Sequence, residues 1–151
     1  MKPRYALAHM RAAHVYAELS YCRRRKVGCV IVKDDRIISI GFNGTPPGWP
    51  NLCEDDQNRT LPEVYHAETN AIAKLAKSSE SGMGAILFVT CTPCLDCAKL
   101  IAQSGIAEVY YSEHYRLRDG LDFLERCGVR TEYLNPSEVA AADPSDHPGC
   151  C

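Results

Sequence analysis

The chain has 151 residues, 46% of them hydrophobic and 24% charged, which suits one globular domain with a hydrophobic core. The net charge of −2 and the pI of about 6.2 argue against a protein whose main task is to hold a nucleic acid backbone. No apolar run approaches the roughly 18 residues of a membrane span, so we expect neither a nucleic acid nor a membrane partner.

The first predicted element is a helix over residues 3–20, where apolar side chains recur at helical spacing. Arg4 and Arg11 interrupt the apolar pattern, so the segment is an amphipathic helix and not a signal peptide. Without an export signal we expect a cytoplasmic protein, and its nine cysteines to be thiols or metal ligands rather than disulfides.

Two β-rich runs follow, over residues 27–32 and 36–42, and Asp34 and Asp35 between them favour a turn. The pattern predicts a β-hairpin. Residues 43–62 are rich in proline, glycine and asparagine and predict a long loop, and such loops within compact domains are often functional.

From residue 66 the chain alternates between helical and strand patterns. The predicted helices are 66–77, 94–105 and 117–127, and the predicted strands are 85–90, 107–112 and 129–134. This order predicts a three-layer α/β/α sandwich around a five-stranded mixed sheet, in which the pairings after the hairpin are parallel. We expect one domain over residues 1–135 and a weakly ordered tail over 136–151.

Two short motifs place possible metal ligands at predicted helix starts. The first is "HAE", with His66 and Glu68, and the second is "PCLDC", with Cys94 and Cys97. Two thiolates and one imidazole match the ligand count of a catalytic zinc, which keeps a fourth position for water. Glu68 would then be free to transfer protons, because zinc lowers the pKa of a bound water from 15.7 to about 7.

Simpler interpretations of these motifs exist. "HAE" alone is more often a solvated helix start, and Cys-x-x-Cys can be a redox pair or half of a structural zinc site. A structural site would need a fourth protein ligand, and Cys22, Cys53 and Cys91 are available in the sequence.

The ordered set of motifs resembles the zinc-dependent cytidine deaminase superfamily, and within it the deoxycytidylate (dCMP) deaminases, including those of phages. The segments that carry the resemblance span residues 20–134 and read "KVGCVIV", "GFNGTPPG", "HAETNAI", "TPCLDCAKLIAQSGI" and "EVYYSEHY". The resemblance implies a cytidine deaminase-like fold and conversion of dCMP to dUMP and ammonia for dTTP synthesis, in the host cytoplasm if the gene belongs to a phage.

The resemblance also implies roles for single residues. Zinc is held by His66, Cys94 and Cys97, and Glu68 moves the protons. The backbone N–H of Ala67 is expected to hold the pyrimidine O2, and Thr92 is expected to line the substrate site.

Three further substrate contacts are expected. Asn43 in "GFNG" matches an asparagine that binds the deoxyribose in relatives, although Asn-Gly is also a strong turn signal. The cluster "RRRK" is either a solvated loop or a phosphate site, with Arg24 or Arg25 as the ligand. Tyr115 could cover the base, touch the phosphate, or only pack.

Family members are commonly activated by dCTP and inhibited by dTTP at a separate site, and commonly form homohexamers. By resemblance the regulatory loop includes Gly41, Asn43 and Gly44, and the carboxylates of Asp55 and Asp56 could hold Mg²⁺ with the effector. Some phage relatives hold a second zinc through cysteines near Cys22 and Cys53 and further ligands in a long insert before His66. In this chain that insert is short and contains no histidine, although Cys22 and Cys53 could still pair around a metal. The C-terminal "HPGCC" could also bind metal, or only chelate adventitiously.

Two rival functions use the same motifs. One is a deaminase for another base or nucleoside, which would not need the cationic cluster. The other is a non-catalytic zinc module that binds a partner, which requires a closed four-ligand site.

Overall fold

A computed structural model describes residues 1–115 and 117–141 of the chain. The described helices are α1 (Pro3–Ala17), α2 (Ala67–Leu75), α3 (Leu95–Gln103), α4 (Asp119–Arg126) and α5 (Pro136–Ala141). The described strands are β1 (Gly28–Lys33), β2 (Arg36–Phe42), β3 (Ile86–Val89), β4 (Glu108–Tyr111) and β5 (Arg130–Tyr133). Among the described residues, no helix combines the length and the apolar character that crossing a bilayer requires.

The five strands form one mixed sheet in the order β2-β1-β3-β4-β5. β1 runs antiparallel to both β2 and β3, whereas β3, β4 and β5 are parallel to one another. The predicted mixed sheet is therefore confirmed, and so is the predicted parallel pairing for β3–β4 and β4–β5, but it is wrong for β3 and the hairpin strand β1, which pair antiparallel. β3 does run in the same direction as β2, but the hairpin partner β1 lies between them and reverses the pairing.

Each face of the sheet has its own hydrophobic core, because successive side chains of a strand point to opposite faces. On β1, Cys29 and Ile31 pack with residues of α2, α3 and α4, and Val30 and Val32 pack with residues of α1 and α5. The two cores confirm the predicted three-layer sandwich. The central strands are buried on both faces, as their continuous apolar sequences indicate.

The hairpin and the C-terminal segment test two local predictions. Asp34 and Asp35 have φ values of 49° and 57°, so the predicted turn places both residues in the left-handed region that two-residue hairpins require. Residues 136–141, expected to begin a weakly ordered tail, form α5, which buries Val139 against the core beneath α1. Six residues are too few for a helical period to be evident in the sequence, so packing decides this element.

Gly28 allows α1 to approach the start of β1 closely. A Cβ at this position would lie 1.9 Å from the carbonyl oxygen of Ala13 and 2.6 Å from the amide nitrogen of Ala17. We expect Gly28→Ala to lower the free energy of unfolding by about 3 kcal/mol, because backbone atoms have little freedom to yield. Urea unfolding of the variant checks this. Gly44→Ala is the control, since a Cβ there meets nothing within 4 Å, and equal losses in the two variants would contradict the packing argument.

Candidate metal centre and active-site cavity

The loops that carry the candidate residues meet at one edge of the sheet. β2, β3 and β4 run in the same direction, so their carboxyl ends and the loops that follow them lie at that edge. β1 runs the opposite way, and therefore residues 23–26, which precede it and are called the arginine segment below, lie at the same edge. Ligand sites of α/β sheets commonly lie at this edge, beyond the carboxyl ends of parallel strands.

His66, Cys94 and Cys97 form one compact group of possible metal ligands. Their ligand atoms all lie within 4.8 Å of one another. Nδ1 of His66 is 3.5 Å from Sγ of Cys94 and 3.3 Å from Sγ of Cys97. His66 is the residue before α2, and Cys94 is the residue before α3. The two helices therefore bring residues 28 positions apart together at their amino-terminal ends.

The two thiols differ in their ease of ionisation. Hydrogen bonds from Cys97 and then from His66 lower the pKa of Cys94 to about 4. The same interaction with Cys94, together with burial, raises the pKa of Cys97. The backbone N–H of Cys97 also points at Sγ of Cys94, as a helix amino terminus favours. The lowered pKa favours the thiolate form of Cys94, which is the form that binds a metal, and a metal ion would deprotonate the second thiol.

The donor set fits zinc. Two soft sulfur ligands and an imidazole nitrogen are the ligands that zinc prefers, and three protein ligands leave one position for water. Within residues 1–115 and 117–141, these three are the only group of histidine, cysteine and acidic side chains gathered closely enough to hold a metal ion. Cys22, Cys53 and Cys91, the candidates for a fourth ligand, do not belong to this group. The arrangement therefore favours a catalytic zinc site over a structural one.

Glu68 lies in the first turn of α2 with only 4% of its surface exposed. Burial raises the pKa of its carboxyl, and hydrogen bonds from its own backbone N–H and from Cys97 act in the opposite direction. It therefore lies beside the proposed ligands, in an environment that favours its protonated form. A carboxyl group in this position can both accept and return a proton.

The metal group opens into a cavity of about 400 Å³, a size suited to a small-molecule ligand. All seven predicted substrate and catalytic residues line it, Tyr115 among them, beside two of the proposed metal ligands. The other six are Arg24, Arg25, Asn43, Ala67, Glu68 and Thr92, and the two metal ligands are His66 and Cys94.

The two candidate phosphate ligands occupy different parts of the cavity wall. Nη1 of Arg25 donates to Sγ of Cys91 at 2.7 Å, and its guanidinium lies 5.4 Å from the ring centroid of Tyr115. Nη1 of Arg24 is 3.5 Å from the hydroxyl of Thr60. Both side chains are exposed, but Arg25 is held against the wall by its neighbours, whereas Arg24 has one long contact.

The side chain of Asn43 bridges the backbone of the arginine segment. Its Oδ1 accepts from the N–H of Val27 at 2.8 Å, and its Nδ2 donates to the carbonyl of Arg25 at 2.8 Å. An amide can make further hydrogen bonds through its second proton and second lone pair. The predicted contact with a sugar hydroxyl stays a prediction, and the bridge itself was not evident from the sequence.

Thr92 and Tyr115 connect two loops of the site. The hydroxyl of Thr92 donates to the carbonyl of Glu113 at 3.0 Å and accepts from the N–H of Tyr115 at 3.2 Å. His114 stacks on Tyr133 of β5 with ring centroids 4.6 Å apart. These contacts hold the Tyr115 loop over the cavity, although the Tyr115 side chain itself is 43% exposed.

The predicted regulatory residues have local partners. A Cβ at Gly41 would lie 2.1 Å from the carbonyl oxygen of Ala67, so this glycine allows α2 to pack on β2. Gly44 pairs with Tyr65 in an isolated β-bridge. The Asp55 carboxylate accepts from Arg59 and from the N–H of Gln57, while Asp56 is exposed. Their predicted roles with an effector and Mg²⁺ stay predictions.

Cys22 and Cys53 form a disulfide, so the expectation that all cysteines are thiols or metal ligands is wrong for this pair. The loop 43–65 folds back over the segment before β1 and brings two buried cysteines together, which spacing along the chain could not reveal. Because their sulfur atoms are bonded to each other, Cys22 and Cys53 do not provide thiolate ligands for a second metal ion. The possible ligands of "HPGCC" and the predicted tail beyond residue 141 lie outside the described residues.

Sequence reasoning missed several residues of the cavity wall. They are Glu54, Thr60, Val64, Cys91 and His114. Of these, Glu54 had a signal in the sequence, because it is an acidic residue next to Cys53 in the long loop. The sequence analysis, however, assigned the acidic residues of that loop to Mg²⁺ binding.

Comparison with known proteins agrees with this geometry. The family model of the cytidine and deoxycytidylate deaminase zinc-binding region matches residues 4–113. The chain is also similar to a dCMP deaminase from the cyanophage S-TIM5, whose crystal structure is of the complex with dCMP and dUMP. The two sequences are 47% identical, the TM-score is 0.87, and the match covers 89% of this chain and 99% of that chain.

Two curated relatives, both called deoxycytidylate deaminase, add to this comparison. The one from Enterobacteria phage T4 is 35% identical, covering 70% of this chain and 76% of the relative. The one from Saccharomyces cerevisiae is 34% identical and covers 91% of this chain, which spans only 47% of that longer relative. The chain belongs to the cytidine and deoxycytidylate deaminase family.

Proposed function

We propose that this chain catalyses the hydrolytic deamination of dCMP, in which water replaces the 4-amino group of cytosine and dUMP and ammonia are released. The observation that carries the proposal is one cavity that holds a three-ligand metal group, a buried carboxylate and two arginines. The names of the phage relatives, and the dCMP and dUMP bound to the cyanophage enzyme, support the choice of substrate.

The proposed cofactor is one Zn²⁺ held by His66, Cys94 and Cys97. When bound, zinc supplies a water that ionises near neutral pH. The positions of the ligands are fixed by the fold. His66 and Cys94 directly precede α2 and α3, and these two helices pack in the same core against the sheet.

Glu68 moves the protons in the proposed reaction. It accepts a proton from the attacking water and donates one to N3 of the ring. It then takes the remaining proton from the new 4-hydroxyl, which becomes the C4 carbonyl, and passes it to the departing amine, which leaves as ammonia. The carboxyl group is buried beside Cys97, where the raised pKa suits a group that must hold a proton for part of the cycle. The backbone N–H of Ala67 lies at the start of α2, where helix geometry leaves it available to the pyrimidine O2.

The arginine segment is the proposed phosphate site. Arg24 and Arg25 line the cavity, and guanidinium groups form strong charge-assisted hydrogen bonds to phosphate oxygens. Asn43 lies between the arginine segment and α2, a position that suits the sugar of a nucleotide that spans both ends of the cavity.

We expect the purified, zinc-loaded protein to deaminate dCMP with a kcat/KM about 100-fold or more above that for deoxycytidine or cytosine, because only dCMP has the phosphate that the arginines bind. The assay follows ammonia release, or the absorbance change between cytosine and uracil. Deoxycytidine turnover equal to that of dCMP would remove the phosphate argument, and release of no ammonia from any of the three would remove the deaminase proposal.

Regulation by dCTP and dTTP belongs to the same proposal, together with a homohexamer, a Mg²⁺-bound effector and a cytoplasmic location. The support is the family resemblance of the loop that contains Gly41, Asn43 and Gly44. The side chains of Trp49, Leu52 and Tyr65 in this loop are exposed in the single chain, as a subunit contact would require. Adding dCTP or dTTP to the dCMP assay, with light scattering for subunit number, tests these points.

A further inference from the structure

Glu54 is buried beside the arginine segment, with 2% of its surface exposed. Its Oε1 accepts from the backbone N–H of Arg23 at 3.0 Å and from that of Arg24 at 3.1 Å, and its Oε2 is 3.3 Å from the N–H of Arg23. The Arg23 side chain is 3.7 Å from the carboxylate but mainly exposed, so the backbone contacts dominate.

Two consecutive backbone N–H groups that point at one place form a small anion-binding concavity. Here the chain's own carboxylate fills the concavity, so these N–H groups are not available to a ligand phosphate. A phosphate that enters the cavity must therefore be bound by side chains. The backbone on which those side chains stand is held by Glu54, because a buried carboxylate with two N–H donors resists displacement.

The arginine segment is held at both ends. Glu54 holds Arg23 and Arg24 from the loop 43–65, and the neighbouring Cys22–Cys53 disulfide joins the same two segments. At the other end, the amide of Asn43 holds the carbonyl of Arg25. Between these anchors the side chains of Arg24 and Arg25 reach the cavity wall.

We propose that Glu54 is a positioning residue for nucleotide specificity: it holds the backbone of the arginine segment so that Arg24 and Arg25 meet the 5′-phosphate. This inference rests on the proposed function, because it assigns the phosphate to those arginines. Glu54 does not touch the reacting atoms, and its effect is therefore confined to the part of the substrate that distinguishes dCMP from deoxycytidine.

The test compares Glu54→Gln and Glu54→Ala with the unmodified protein on both dCMP and deoxycytidine. We expect kcat/KM for dCMP to fall roughly 10- to 100-fold, mainly through KM, because a charged hydrogen-bond acceptor is lost. For deoxycytidine, kcat/KM should stay within about twofold of the unmodified protein, and zinc content should be unchanged. Glu54→Gln keeps the shape and one carbonyl acceptor and should lose less than Glu54→Ala.

Glu108→Gln is the matched control. Like Glu54, Glu108 has a carboxylate near an arginine side chain, but it is only partly buried and lies at the start of β4, at the opposite edge of the sheet from the cavity. The preference of the Glu108→Gln variant for dCMP over deoxycytidine should equal that of the unmodified protein.

Three results would overturn the inference. They are an equal loss for both substrates, no loss for dCMP, and a Glu54→Gln protein that cannot be obtained folded and loaded with zinc, since that would make Glu54 a folding residue. A failure of the proposed function is distinguishable, because the unmodified protein would then show no preference for dCMP over deoxycytidine.

Discussion

Glu68→Gln is expected to retain zinc and to lose about 10³-fold or more in kcat for dCMP. Glutamine has nearly the same shape as glutamate and can fill the buried position in α2, but it cannot accept and return a proton. General acid–base groups contribute about 10² to 10⁴ in rate, and Glu68 is assigned every proton transfer in the proposed reaction. Steady-state kinetics with dCMP, together with zinc per subunit by elemental analysis, measures both parts of the expectation.

The zinc measurement separates this result from a loss of structure. Glu68 is not part of the described ligand group, so its replacement should leave the metal content near one per subunit. Glu63→Gln, a carboxylate earlier in the same segment and outside the cavity wall, is the control and should keep full activity. Unchanged turnover in Glu68→Gln would remove Glu68 from the mechanism, and loss of zinc would make it a structural residue instead.

Cys94→Ser is expected to abolish stoichiometric zinc binding and, with it, nearly all deamination. Serine keeps an oxygen that can cap α3, where Sγ of Cys94 accepts from the N–H of Cys97 at 3.5 Å. The helix start is therefore preserved, and the change removes mainly the thiolate ligand. A serine hydroxyl is a poor zinc ligand because it stays protonated at neutral pH, so two ligands remain where three are needed.

Zinc content after dialysis and kcat for dCMP are the two measurements for this variant. Cys127→Ser is the matched control, because Cys127 is a free and exposed cysteine at the end of α4. The control should bind one zinc per subunit with full activity. Treating the unmodified protein with a chelator should reproduce the Cys94→Ser result, and added zinc should reverse it only in the unmodified protein. Tight zinc binding by Cys94→Ser would exclude Cys94 as a ligand.

The elements that the sequence predicted well are those with strong local signals. The strands β1 and β3 are continuous apolar runs, and Gly105, with a φ of +75°, ends the turn after α3 as expected for a helix-stopping glycine. α5 was missed because its helical form depends on burying Val139 beneath α1. The direction of the β1–β3 pairing was missed for a similar reason, since strand order is a property of the whole sheet.

The candidate site also contains some residues that local sequence signals predicted and others that they did not. His66, Glu68, Cys94 and Cys97 were predictable because the spacing within each short motif already places them at helix starts. Glu54 and the disulfide were not, because both depend on how the loop 43–65 folds back over the arginine segment. The loop's direction is set by long-range contacts that no local pattern encodes.

The amino-acid sequence by itself determined which strands are buried on both faces, and it supplied the zinc ligands and the proton-transferring carboxyl that the proposed function uses. Side-chain type and local periodicity are enough for these properties. Only the tertiary structure decided which loops meet. The strand directions bring the carboxyl ends of β2, β3 and β4 and the amino end of β1 to the same edge of the sheet. There a buried carboxylate, an amide and a disulfide hold the arginines beside the proposed metal ligands.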